Sequence, residues 1–147
     1  MTEEQLVCLT KQYDIEGRIT ADEIRSTGSN VADIDSGAFE SMCKLRKDLD
    51  SPIYFIVNGM TTGRHKSKGH PEGKAMDVRI PRLPFYTVFK AAIAAGFNKI
   101  GVYWNGKAYS YHLEVSPYPA FWMGTKSGVG PKYPWTFSKL IKDPAKV

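Results

Sequence analysis

The sequence predicts an α+β domain, with helices packed on one face of a small, mainly antiparallel sheet. Three observations point there. Apolar residues recur at helical spacing over 37–49 and 84–95, four short runs read as strands, and the last two runs flank Asn105-Gly106, a hairpin signal.

Taken in order, Thr20-Ala-Asp-Glu23 fits a capping box that opens a short helix. Residues 37–49 place Phe39, Met42, Leu45 and Leu49 on one stripe, and Asp50-Ser-Pro52 stops that helix. IYFIV (53–57) reads as a buried strand, followed by a loop over 58–73 rich in glycine and charge. AMDVRI (75–80) alternates, with Met76, Val78 and Ile80 on one face and Ala75, Asp77 and Arg79 on the other. The helix over 84–95 starts at Pro84 and stops at Gly96, with Phe85, Val88, Phe89, Ala92 and Ile93 facing a sheet. KIGVYW (99–104) and YSYHLEV (109–115) are the hairpin strands. The segment from Ser116 onward, rich in aromatics, proline and glycine, reads mostly as loop packed on the core.

A chain of 147 residues, 42% hydrophobic and 24% charged, is expected to form a single domain with one real core. Disordered and collagen-like readings are excluded. No run approaches the roughly 20 apolar residues of a membrane helix, and the acidic start MTEEQLVCLT does not read as a secretory signal. Synthesis in the cytoplasm is therefore expected, with any action on a cell wall following lysis, export or packaging in a phage particle. Cys8 and Cys43 are read as two buried or half-buried thiols rather than part of a zinc ribbon. Residues 1–50 carry 11 acids against 6 bases, whereas residues 51–147 carry 4 against 14. The basic part suits an anionic polymer. Nucleic acid is not the expected partner, because no recognisable binding motif accompanies the charge. A monomer is expected.

Of the four late acids, Glu72, Asp77 and Glu114 all lie close to a histidine in the chain. His70-Pro-Glu-Gly73 fits a type I turn that hands the chain to the strand bearing Asp77. His112 projects from a strand between Tyr111 and Leu113. Two imidazoles and a carboxylate, with a fourth position open, are the donor set of a catalytic zinc site. His65 lacks such a context and reads as loop.

GHPEGKAMD resembles the H-x-x-G-x-A-x-D motif of the M15 metallopeptidases, the D-alanyl-D-alanine carboxypeptidase and L-alanyl-D-glutamate endopeptidase group, which shares the hedgehog fold. His70, Gly73, Ala75 and Asp77 fall on that motif, and AGFNKIGVYW followed by YHLEV is similar to the group's second half. The likeness covers about residues 19–116. It implies a hedgehog/DD-peptidase-like fold, Zn2+ held by His70, Asp77 and His112, and hydrolysis of peptidoglycan stem or cross-link peptides, as in a phage lysin.

Two positions depart from the pattern. Lys68 stands where the group commonly has serine, with Ser67 one residue earlier. Tyr109 stands where many members carry the acid that activates water, and no acid occurs between Asp77 and His112. Glu114 is the expected substitute, on the same strand face as His112 and about 6–7 Å away; an orienting role toward His112 is its alternative. In the basic role, Glu114→Gln should abolish turnover and leave zinc bound. Glu72 is a weaker candidate. Tyr109 and Tyr111 could donate to an oxyanion, and Trp104, Trp122 and Trp135 could line a groove. Arg64 matches an arginine that the group uses for a substrate carboxylate, a role its planar guanidinium suits. The missing upstream acid motivates a second expectation: a catalytically silent zinc module for wall recognition or particle assembly.

Overall fold

The structure, a computed structural model, describes residues 1–104 and 108–125. Three helices come first: α1 (Glu3–Gln12), α2 (Ala21–Ser26) and α3 (Ser36–Leu49). The capping box expected at Thr20 and Glu23 is formed, and Thr2 with Gln5 makes a second one that opens α1, a helix the sequence reading missed. Helix α3 ends where Asp50 turns left-handed at φ 43°.

Strand β1 (Tyr54–Phe55) is shorter than the expected 53–57. The chain leaves it early because Asn58 adopts φ 57° and Gly59 N–H closes onto the Ile56 carbonyl. Strand β2 (Ala75–Arg79) follows the long loop, then α4 (Phe85–Ala95), β3 (Lys99–Trp104), β4 (Tyr109–Glu114) and β5 (Ala120–Thr125). Gly96 closes α4 at φ 107°, a conformation that favours glycine. Helix α4 buries Phe85, Val88, Ala91, Ala92 and Ala95, while Ile93, expected on that stripe, faces outward.

The five strands run in the order β1-β2-β4-β3-β5. The first three pairings are antiparallel and β3/β5 is parallel, so the architecture is α+β with a mixed sheet. Over Ala120–Thr125, strand β5 corrects the expectation of mostly loop after Ser116. Asn98 builds the crossover: its side-chain amide exchanges hydrogen bonds with the Ser116 backbone at 2.6 and 2.8 Å, and its carbonyl accepts from Ala120 N–H. A chain anchored this way crosses the start of β3 and adds a strand on its far side. The Asn105-Gly106 turn, Trp135 and the tail beyond Thr125 lie outside the described residues.

Alternation divides the sheet. Met76, Val78, Ile100, Val102, Tyr111 and Leu113 join Phe39, Met42, Leu45, Phe85 and Val88 in the apolar core. Asp77, Gly101, Tyr103, Ser110, His112 and Glu114 occupy the opposite face, beneath the loop between β1 and β2. Among the described residues, no helix is long and apolar enough to cross a membrane. Cys43 is buried and Cys8 exposed.

Candidate metal centre

The register of β2 against β4 sets Asp77 directly opposite His112. Backbone bonds fix Asp77 further: its N–H donates to the Gly59 carbonyl at 2.7 Å, and its carbonyl accepts from Ile56 N–H at 3.0 Å. A side chain at Gly59 would run into Asp77 Cβ, so glycine lets the loop pass over this residue.

His70 arrives on the predicted turn, closed by Gly73 N–H donating to the His70 carbonyl at 3.0 Å. Gly73 has φ 71°, and a Cβ there would strike the backbone of Asp33 and Ile34. The glycine of H-x-x-G is thus demanded twice, by conformation and by close approach.

His70 Nε2 lies 3.1 Å from His112 Nδ1 and 3.4 Å from Asp77 Oδ1, and His112 Nδ1 lies 3.2 Å from the same oxygen. The outer nitrogens decide what this triangle means. His70 Nδ1 lies 2.7 Å from the Met60 carbonyl, an acceptor only, so it carries the proton. His112 Nε2 lies 2.8 Å from Glu114 Oε2, so it too carries the proton. Both inner nitrogens therefore turn lone pairs toward a carboxylate. Three acceptors this close form a set able to hold a cation. Donors about 2.0–2.2 Å from a tetrahedral metal stand about 3.3–3.6 Å apart, close to the observed triangle.

His65 lies in the loop, as expected, but the fold brings it to the donor atoms, which its lack of sequence context does not announce. His65, His70 and Asp77 offer donor atoms within 4.8 Å of one another, a group able to hold a metal ion. The ring of His65 stacks on His70, with centres 3.6 Å apart and planes at 18°, and its Nε2 donates to the Thr62 carbonyl at 2.7 Å. Imidazoles sharing one metal have centres about 5 Å apart and converging lone pairs. His70 and His112, at 4.9 Å and 68°, have that spacing, so His112 as well as His65 is placed to join His70 and Asp77 around an ion.

Glu114, the expected base with an orienting role as its alternative, makes contacts that match the alternative. Its Oε2 receives His112 Nε2–H, on the opposite edge of the ring from the donor triangle. The same oxygen accepts from Ser67 Oγ at 2.6 Å and lies 3.6 Å from Lys99 Nζ. The residue is 4% exposed. Burial raises its pKa, but Ser67, His112 and Lys99 outweigh that and keep it below the ordinary carboxylate value. A carboxylate so placed fixes the tautomer of His112. Glu72 is exposed and lies 3.9 Å from Lys74 Nζ.

The centre opens into a cavity of about 750 Å3, within the usual size range for ligand sites. Arg64, exposed, lines it together with Lys66, Lys99 and Trp122. Among the described residues, Asp77 is the only carboxylate that lines it, and the basic side chains there make its rim cationic. Trp122 comes from the unexpected β5, while Trp104 packs on Tyr109. Tyr111 is buried in the core on the face away from His112, and Tyr109 packs against that core. Tyr103 and Tyr111 both line the cavity, and of the two only Tyr103 has the strand parity of His112. No family model, curated protein or solved structure matches the chain.

Proposed function

We propose that this protein is a zinc-dependent peptidase of the M15 kind, with a hedgehog/DD-peptidase-like fold, acting on peptidoglycan stem or cross-link peptides. The observation that carries the reading is the convergence of two imidazoles, each locked by an outer acceptor, on one carboxylate at the floor of an open cavity. Nitrogen and oxygen donors in this ratio suit zinc. Bound zinc supplies Lewis acidity and a water made nucleophilic near neutral pH.

The chain's own residues do the rest. His70, Asp77 and His112 hold the ion, while the Met60 carbonyl and Glu114 keep both rings in the ligating tautomer. Arg64, with Lys66 and Lys99 on the same rim, receives a carboxylate of the substrate. A cationic cavity with a single acid suits an anionic stem peptide. It also favours the second reading, a silent zinc module, because among the described residues no carboxylate besides Asp77 lines the cavity to take a proton from water.

Mass spectrometry of fragments released from purified peptidoglycan, with zinc and again with a chelator, separates the two. Zinc-dependent release of stem-peptide fragments supports the peptidase and identifies the bond. No release from several wall types, by protein shown to contain one zinc, would leave the binding module.

A further inference from the structure

Tyr103 sits on β3 two residues from Gly101, and Gly101 faces His112 across the sheet. The Tyr103 side chain therefore projects on the metal side and lines the same cavity as His70, Asp77 and His112. Trp122 Nε1–H donates to the Tyr103 hydroxyl oxygen at 2.7 Å. That bond uses an acceptor site on the oxygen and leaves the phenolic proton to donate. No described residue accepts it.

Two details show that the pair is built. A Cβ on Gly101 would overlap the indole of Trp122, so glycine is what lets the indole lie across β3 and reach Tyr103. The indole also lies beside the His112 ring, with centres 5.2 Å apart. Burial raises the Tyr103 pKa above its ordinary value and outweighs the opposing effect of the Trp122 bond, so the hydroxyl keeps its proton at neutral pH.

We infer that Tyr103 is a catalytic hydrogen-bond donor to the carbonyl oxygen of the scissile amide, aimed by Trp122. The inference rests on the peptidase reading and deepens it. In the hydrolysis, the oxygen of water bonds to the amide carbon and the carbonyl π pair moves onto its oxygen. Tyr103 donates to that developing oxyanion and keeps its own proton. The C–N bond then breaks, the oxyanion returns as a carboxylate, and both protons of the water end on the leaving nitrogen as an ammonium. A donor placed where charge develops stabilises the transition state more than the ground state.

The test compares the full-length zinc-loaded wild type with Tyr103→Phe, Trp122→Phe and the double variant. Loss of one oxyanion donor typically costs 10²–10³ in kcat. Tyr103→Phe should therefore lose about 100-fold in kcat, with KM within about twofold and zinc content unchanged. Trp122→Phe should lose about tenfold, and the double variant should be no worse than Tyr103→Phe, because the indole acts through the hydroxyl. A second readout needs no turnover: calorimetric binding of a phosphinate analogue of a stem dipeptide, whose anionic oxygen stands in for the oxyanion. Tyr103→Phe should weaken it about 100-fold while leaving binding of the product peptide unchanged. Equal phosphinate binding, or a loss seen in KM alone, overturns the assignment. If the wild type neither releases fragments nor binds the phosphinate, the peptidase reading falls and the donor role falls with it. If it does both and Tyr103→Phe matches it, only the donor role falls.

Discussion

The two faces of the sheet are made by the same strands and serve opposite ends. On the helix side, Met76, Val78, Ile100, Val102 and Leu113 are fully enclosed by apolar neighbours. One residue along in each strand, Asp77, Gly101, His112 and Glu114 line up a candidate cation site with a second layer of hydrogen bonds behind it. The first face stabilises by removing apolar surface from water. The second draws three acceptors together and closes over them with glycines. Stability and chemistry are therefore separated by a single residue of register. The two faces should respond differently to substitution.

The largest contrast is between neighbours in one strand pair. Leu113→Ala removes a fully buried side chain and should cost about 2–5 kcal/mol in urea unfolding, while the folded fraction still takes one zinc. Asp77→Asn is nearly isosteric and partly exposed, and the amide can donate to a ring lone pair. It should leave the zinc-free protein within about 1 kcal/mol of wild type and abolish stoichiometric zinc in a chelator competition. Tight zinc retained by Asp77→Asn would break the contrast and remove Asp77 from the ligand set.

How far the sequence foretold these faces follows from how local each signal is. Alternation in AMDVRI placed Asp77 opposite Met76 and Val78, because a strand's period is set by its own backbone. The Pro84 and Gly96 limits of α4 and the His70–Gly73 turn were equally local. What stayed hidden is long-range. Strand β5 depends on Asn98 gripping Ser116, a contact that no run of residues announces. The stacking of His65 on His70 depends on the path of the 58–73 loop. Tyr103 was within reach, since parity of the hairpin puts it on the face of His112, whereas Tyr109 and Tyr111 carry the opposite parity. Ser67, one place off the expected serine position, was legible as a residue but not as the partner of Glu114.

A smaller effect sharpens the role of Glu114. If it orients His112, Glu114→Gln keeps an acceptor for Nε2–H but loses the charge, and zinc should bind about 10–100-fold more weakly. Turnover measured at saturating zinc should then largely recover. A general base gives the reverse pattern, with zinc affinity unchanged and turnover absent at any zinc concentration. Zinc titrations followed by activity at each point distinguish the two in one experiment.

The smallest effect tests the outermost layer. Ser67 Oγ donates to Glu114 Oε2 at 2.6 Å and accepts from Gly69 N–H at 3.0 Å, tying the loop that carries His70 to the strand that carries His112. Gly69 packs so closely on the Glu114 carboxyl that a Cβ there would overlap it. Ser67→Ala removes one donor, but Lys99 stays near the same oxygen and His112 still binds it. The loss should be about 1 kcal/mol of stability and a few-fold in zinc affinity, read in the same competition assay. The combination Ser67→Ala with Glu114→Gln should fall short of the sum of the two, because the serine acts on the metal only through the carboxylate. Full additivity would mean that the serine holds the His70 loop by a route that does not pass through Glu114.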